Sequence, residues 1–261
     1  MEVAKMFNLY WISFTSLVRK EVNRFMRIWV QTLVPPVITT SLYFIVFGNF
    51  IGGRIGDMGG FTFMQFIVPG LIMQAVITNS YSNVSSSFFG QKFQKNIEEL
   101  LVAPVPTVII MAGFLVGGMA RGLLAGIFVT TISLLFVPIN VSSWWIVLIT
   151  VLMTSLLFSL AGLLNGLFAK SFDDVSIIPT FVLTPLTYLG GVFYSITLLP
   201  RGWQIVSRFN PIVYMISGFR YGFLGVGDMA LWMSMSILVI FIVVLFSVCF
   251  YLIEKGRGLR S

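Results

Sequence analysis

The chain contains no histidine, and that absence removes much of enzyme chemistry. There is no imidazole to act as a general base and no H-E-x-x-H zinc site. No G-x-S-x-G nucleophile elbow occurs either. The adjacent Asp173 and Asp174 diverge by roughly 100 degrees on a helix, so they form no facing acid–base pair. A membrane-embedded enzyme acting on lipid is disfavoured on these grounds. A passive channel is disfavoured as well, because no charged or carbonyl-rich filter motif is present. The phosphate-loop pattern G-x-x-x-x-G-K-S/T is missing, and no glycine is followed directly by lysine, so the chain does not hydrolyse ATP by that route. The lone cysteine, Cys249, can close no internal disulfide. Charge is scarce too, at 10% of residues against 57% apolar residues and 26 phenylalanines, a balance that no water-soluble globule can bury.

What is present is a set of long charge-free runs: 28–53, 58–91, 100–120, 122–169, 175–200 and 229–253. About 20 apolar residues cross the hydrocarbon, where every backbone polar group must be satisfied internally, so these runs are helices. The run 122–169 is too long for one helix and breaks at "VPINVSSWW", which places Arg121 inside the preceding span. The expectation is an all-α integral membrane protein with six spans, near 30–52, 62–89, 107–137, 144–169, 175–193 and 230–252. With both termini cytoplasmic, the inner face receives Lys5, Arg19, Lys20, Arg24, Arg27, Lys92, Lys95, Lys170, Lys255, Arg257 and Arg260. The outer face receives only Arg54, Arg201, Arg208 and Arg220. The net charge of +7 then reflects anchoring to anionic lipid, and nucleic acid is not an expected partner.

The first 28 residues lack the apolar core and cleavage site of a signal peptide. They read as an interfacial helix with Phe7, Trp11, Phe14, Val18, Val22 and Phe25 on its lipid side. Residues 29–253 form the membrane domain and 254–261 a cytoplasmic tail. Between spans 2 and 3 lies "QKFQKNIEELLVAPVPT", a short amphipathic rod. Phe93, Ile97, Leu100 and Leu101 share one face, Lys95 is within reach of Glu98 and Glu99, and Pro104 and Pro106 end the helix. Its apolar face either lies on the membrane or enters a groove on a soluble partner. The adjacent acids favour the partner, because anionic headgroups repel them.

Between spans 5 and 6, "GGVFYSITLLPRGWQIVSRFNPIVYMISGFRYGFLGVGD" is too apolar for an exposed loop and too interrupted for a span. A re-entrant hairpin beside a pathway accommodates it, as does an apolar lid packed on the outer ends of the helices. Arg121 in mid-membrane costs about 2.5–3.5 kcal/mol, which broken-helix carbonyls, a neighbouring subunit, snorkelling or an anionic substrate group can offset. Around it, Gly113/Gly117, Gly118/Gly122 and Gly122/Gly126 are spaced for close helix approach. Asn165, Thr184 and Tyr188 are the remaining polar or half-polar residues at depth, either bonding neighbouring helices or lining a pathway. "KSFDD" reads as a cytoplasmic turn whose acids are also available to a partner. No metal site is expected.

"NIEELLVAPVP" together with "NPIVYMISGFRYGFLG" resembles the permease subunit of type-2 ABC exporters, the family of polysaccharide and drug export permeases, over essentially the whole chain. The resemblance implies a bacterial inner-membrane protein working as a pair of permease copies with two copies of a separate ATPase, on which ATP and magnesium bind. The rod becomes the coupling helix, with contacts from Lys95, Asn96, Ile97, Glu98, Glu99, Leu100 and Leu101 and an end at Pro104. Arg121, Asn165, Thr184 and Tyr188 become pathway candidates. Phe193, Tyr194, Asn210, Pro211, Tyr214 and Arg220 belong to the hairpin at the outer face, as gate candidates.

The topology is directly testable. In a background lacking Cys249, a cysteine at Gly59 or Val141 is expected to react with an impermeant thiol reagent from outside, and one at Gln94 or Ser171 only after the inner face is opened. The reverse labelling pattern would invert the orientation.

Overall fold

In a computed structural model, which describes residues 2–47 and 57–258, the chain is almost wholly helical, and among the described residues the only strand-like pairing is an isolated bridge between Met58 and Phe61. The expected end of the first span, with Arg54, and residues 259–261 lie outside the described residues, as do the side chains of Lys5, Phe7 and Leu101. The helices are α1 (Glu2–Arg27), α2 (Trp29–Val46), α3 (Phe63–Phe93), α4 (Asn96–Val102), α5 (Thr107–Phe136) and α6 (Trp144–Phe168). They continue as α7 (Phe172–Ile178), α8 (Thr184–Leu189), α9 (Arg201–Arg208), α10 (Pro211–Leu224) and α11 (Leu231–Glu254).

Local chemistry sets these boundaries. Thr62 starts α3 through a reciprocal capping box with Gln65. Pro106 stands immediately before α5, where its missing N–H costs nothing. Gly225, at φ 78, ends α10 by donating its N–H to the Tyr221 carbonyl.

Five helices, α2, α3, α5, α6 and α11, are long and apolar enough to cross a membrane. The span expected at 175–193 is built differently. α7, a π turn at Pro179–Leu183 and α8 follow one another without a break, so the helical path runs from Phe172 to Leu189. Pro179 opens the wide turn, and the Thr184 N–H reaches back five residues to its carbonyl. The path ends short of 193 because Gly191 takes a left-handed φ of 81, while a Cβ on Gly190 would stand 2.7 Å from the Ile212 side chain.

α3 is the axis of the bundle, held between α5 and α6, with α1 and α2 leaning on α5 and with α10 seated against α6, α11 and α3. It is buried over most of its length although it carries Asn79, Ser80, Asn83, Ser85 and Ser87, all buried. α11, the most apolar of the five, is one of the least buried. That inversion is the mark of a membrane bundle: lipid takes the most apolar surface, and small polar residues let helices approach within the protein.

The glycines of α5 serve two such contacts. A Cβ on Gly113 would stand 2.6 Å from Leu17 Cβ, and one on Gly117 would stand 2.5 Å from Glu21 Cβ, so this face seats α1. Gly118 and Gly122 turn to α3 instead, where added methyls would run into Val84 and Ser80. α1 therefore buries Leu17, Glu21 and Phe25 against its neighbour and leaves Trp11 and Ile12 exposed. The sequence pattern points to a different stripe, with Trp11, Val18 and Val22, because an apolar periodicity does not register a carboxylate as an inward position.

The backbone approach of α6 to α3 can be tested at Gly162, where an added methyl would strike the Tyr81 carbonyl oxygen, against Gly90, where it would meet nothing. Gly162→Ala is expected to lower stability by about 1–3 kcal/mol in a detergent unfolding assay, with Gly90→Ala near neutral. Equal effects from the two substitutions would contradict the close packing.

Candidate functional site

At the end of the bundle assigned to the cytoplasm, the rod is α4, a seven-residue helix. Lys95 is its N-cap rather than a helical residue, in a left-handed conformation at φ 60, and makes no ion pair with Glu98 or Glu99 among the described residues. Ile97 points inward: it is 1% exposed and shares a cluster with Ile110, Phe114, Leu163 and Leu167, with Leu100 half-buried beside it. The outward residues are Phe93, Asn96, Glu98, Glu99, Pro104 and Val102, the last 86% exposed. Of the face expected from periodicity, Ile97 and Leu100 turn inward, Phe93 stands outward because it ends α3 and is not part of the rod, and the Leu101 side chain lies outside the described residues. The pattern also cannot say that the inward face is consumed by the protein's own core.

Beside the rod, Lys92 Nζ donates to the Leu167 and Ala169 carbonyls at 2.7 and 3.0 Å, capping the C-terminal end of α6 with a positive charge. In "KSFDD", Ser171 and Asp174 form a capping box for α7, and the backbone N–H groups of Lys170 and Ser171 hold the Asp174 carboxyl below the usual carboxylate range. Asp174 is thus committed locally, and Asp173 is the free, exposed acid of that turn.

In the middle of the bundle, a groove of about 280 Å³ separates α2 from α3, lined by Gln31, Thr32, Thr39, Tyr43, Gln74 and Asn79 among others. Pro35 and Pro36 lie within α2 and cannot donate to the carbonyls of Gln31 and Thr32, so polar backbone faces this groove as well. Arg121 stands behind one wall residue of the groove, with Nε donating to Asn79 Oδ1 at 3.2 Å. One turn further along α3, Asn83 accepts from Arg24 Nη2 at 2.9 Å through its side chain, and Ser87 Oγ donates to Glu21 Oε1 at 2.6 Å. The spacing Asn79, Asn83, Ser87 is one polar stripe of a helix, which the sequence reading passed over when it counted only Asn165, Thr184 and Tyr188 as polar at depth. Its partners on α1 escaped as well, because nothing local announces that Glu21 is buried. Burial pushes the Glu21 carboxyl above its ordinary range, against the pull of Arg24.

The remaining pathway candidates separate. Asn165 staples α6 to α7 by donating to the Val175 carbonyl at 3.2 Å, and the Thr184 hydroxyl donates to the Pro179 carbonyl across the π turn. Tyr188 instead joins Phe193, Tyr43 and Phe47 in an aromatic cluster at the outer end of the groove, with the Tyr43–Phe193 centroids 5.1 Å apart.

Next to that cluster stands the hairpin. Asn210 caps α10 by accepting from the Ile212 N–H and donates to the Leu186 carbonyl at 2.6 Å, and Pro211 follows as the first helical residue. Tyr214 is buried, beside the half-buried Tyr194, and its hydroxyl donates to the Arg208 carbonyl, tying the two arms together. Arg220 is 1% exposed and donates to Asp228 Oδ2 at 2.9 Å and to the Gly191 carbonyl at 2.6 Å, with its guanidinium 3.9 Å from the Phe66 ring centroid. Asp228 also accepts a hydrogen bond from Ser195 at the start of the first arm. The polar partner that Arg220 requires is thus an acid eight residues downstream, which the sequence reading passed over.

A helical membrane bundle with a polar groove, a rigid surface rod and an ion-paired outer hairpin is the architecture of a polytopic transport protein. Comparison with known sequences narrows the class. The family described as "ABC-2 type transporter" matches residues 12–224. The inner membrane transport permease YadH of Escherichia coli strain K12 is 68% identical over 256 residues, which is 98% of this chain and 100% of that protein. Nodulation protein J of Rhizobium leguminosarum bv. viciae is 25% identical over 227 residues, 85% of each chain. The chain belongs to the ABC-2 type transporter family and is a permease of that class.

Breaking a buried ion pair from one side leaves an uncompensated charge, whereas removing both partners costs little. Asp228→Asn is therefore expected to destabilise the protein by about 3–5 kcal/mol in detergent unfolding, with Arg220→Met/Asp228→Leu recovering most of the loss. A double variant as unstable as the single one would show that the pair does not hold the hairpin.

Proposed function

We propose that this chain is the membrane-spanning part of an ATP-driven exporter of the bacterial inner membrane. It works as two permease copies with two copies of a separate ATPase subunit, which carries the ATP and magnesium. The observation that supports coupling best is α4: a short helix pinned by Ile97 into the bundle that presents Glu98, Glu99 and Val102 outward. A rod with its inner face locked and its outer face charged passes force to the helices behind it. Lipid gives no use for two exposed acids at that place.

The path from Phe172 to Leu189 supplies the sixth crossing, since at about 1.5 Å per residue it approaches the thickness of the hydrocarbon. Six crossings put both termini on the same side, and the excess of lysine and arginine on that side makes it the cytoplasm, with α1 as the entry helix. Pairing with a second copy has support from α2. It is among the least buried of the five long helices and yet only slightly more apolar than the deeply buried α3, with Gln31 and Thr39 on exposed positions. A face of that composition suits a second permease and an aqueous route between the two. The aromatic cluster around Phe193 and the Asp228-latched hairpin then close the outer end, as a gate with Tyr194, Asn210, Pro211, Tyr214 and Arg220 in its frame.

Charge reversal at the outward acids separates coupling from folding. Glu98→Arg/Glu99→Arg is expected to keep membrane insertion and monodisperse purification but to abolish recovery of a complex with the co-expressed ATPase. Ile97→Asp, in contrast, is expected to unfold the inner end of the permease itself. Unchanged complex yield and ATP-dependent export in the charge-reversed variant would overturn the coupling assignment.

A further inference from the structure

Among the described residues, Arg121 has no carboxylate partner and a single hydrogen bond, to the neutral amide of Asn79 at 3.2 Å. Its terminal guanidinium nitrogens have no protein acceptor there. One turn along the same helix, Arg24 is held at Asn83, by the side-chain oxygen at 2.9 Å and the backbone carbonyl at 2.8 Å. Positions four apart on a helix have Cβ atoms about 5–6 Å from each other, so α3 carries two guanidiniums on successive turns.

The only nearby carboxylate among those pairs is Glu21. It stands 3.5 Å from Arg24 Nε, accepts from Ser87, and is 1% exposed. Burial holds its carboxyl above the ordinary range, which weakens it as a counter-charge. A further donor, Asn83 Nδ2, is buried on this turn without an acceptor. Arg24 has Glu21 beside it and is partly exposed, so the uncompensated charge is that of Arg121, which costs free energy at this depth unless an anion or water joins it.

We propose that Arg121 and Arg24 form a site for a phosphate group, reached through the inner end of the groove between α2 and α3. A guanidinium fork matches a tetrahedral oxyanion by paired, charge-assisted bonds. Arg121 offers its two terminal nitrogens, while Arg24, already bonded to Asn83 and Ser86, adds positive charge and the remaining Nη1 hydrogen from the next turn. Asn79 connects this site to the groove, since it both accepts from Arg121 and lines the groove wall beside Gln31 and Thr32. Its depth within spanning helices favours a phosphate borne on an amphiphile, whether a bilayer lipid or a molecule on its way out. The inference deepens the permease reading by naming a recognition element of its pathway, and it is testable on the chain without any ATPase, so the two fail separately.

The chain is purified into nanodiscs of phosphatidylcholine doped with phosphatidic acid, and native mass spectrometry counts the lipids retained on release. Wild type is expected to retain phosphatidic acid over both phosphatidylcholine and diacylglycerol. Arg121→Gln and Arg24→Gln are each expected to lower that retention about tenfold or more, as loss of one or more charge-assisted bonds implies. Arg27→Gln, an exposed arginine three residues further along α1, is expected to change nothing. Arg121→Lys keeps the charge without the fork and is expected to fall between. Displacement of the lipid by soluble glycerol phosphate would assign the site to phosphate from either source, and failure to displace would assign it to bilayer-borne phosphate. Equal retention of phosphatidic acid and phosphatidylcholine by wild type, a test that needs no variant to fold, would overturn the proposal. So would equal loss in the Arg27 control.

Discussion

The close approach of α3 to α5 and α6 is the constraint on which everything else hangs. Water drives helices together in a soluble protein, but lipid tails are as apolar as leucine and supply no such drive, so association depends on backbone proximity and on hydrogen bonds across it. α3 meets that demand with serines and asparagines on its own surface and with Gly118, Gly122 and Gly162 opposite them. The same choice frees room for polar side chains at depth. The packing device and the polar stripe that reaches Arg121 and Arg24 are therefore one feature of the sequence seen twice.

Three buried or half-buried charges show how differently a membrane bundle can treat the same cost. Arg220 has a carboxylate, a backbone carbonyl and an aromatic face, and its charge is spent on holding a hairpin. Glu21 has a hydroxyl and a guanidinium at 3.5 Å, and burial pushes its carboxyl above the ordinary range. Arg121 has one neutral amide. Guanidinium stays protonated through nearly any environment, so this last charge cannot be relieved by losing its proton and must be relieved by a ligand or by water. Structural charges arrive with their partners; a charge left incomplete beside a groove is the one available for recognition.

The legible part of the fold was what depends on local pattern. Charge-free runs matched four long helices to within a few residues at both ends and the start of a fifth, α2, and the glycine spacing of α5 matched its contact faces. Asn210–Pro211, read only as part of an interrupted segment, is in fact a helix start, with Asn210 as cap and Pro211 as first helical residue. What escaped were pairings between distant segments, Glu21 with Ser87 and Arg24 with Asn83, whose proximity no window of sequence contains. Arg220 with Asp228 lies within eight residues and was passed over because the helix stop at Gly225 that turns the chain back between them was not read. Periodicity also misled at Ile97, since an apolar face is the same pattern whether it meets lipid, a partner or the protein's own core.

The placement of Ile97 has a mechanical consequence. Its cluster includes residues of α5, α6 and α11, and the neighbouring Lys92 ties the end of α3 to the carbonyls that end α6. α4 is therefore no flexible loop resting on the bundle but a handle joined to four of its long helices at one end. Close-packed interiors have two-state rather than elastic responses, so a displacement applied at such a handle moves helices as rigid bodies. At the other end of α3, Phe66 lies under the Arg220 guanidinium that latches the hairpin. α3, one continuous helix packed by glycine and serine, thus runs from α4 to the Arg220 latch and passes the groove on its way, and in the proposed exporter it is the element that would link the motor to the outer opening.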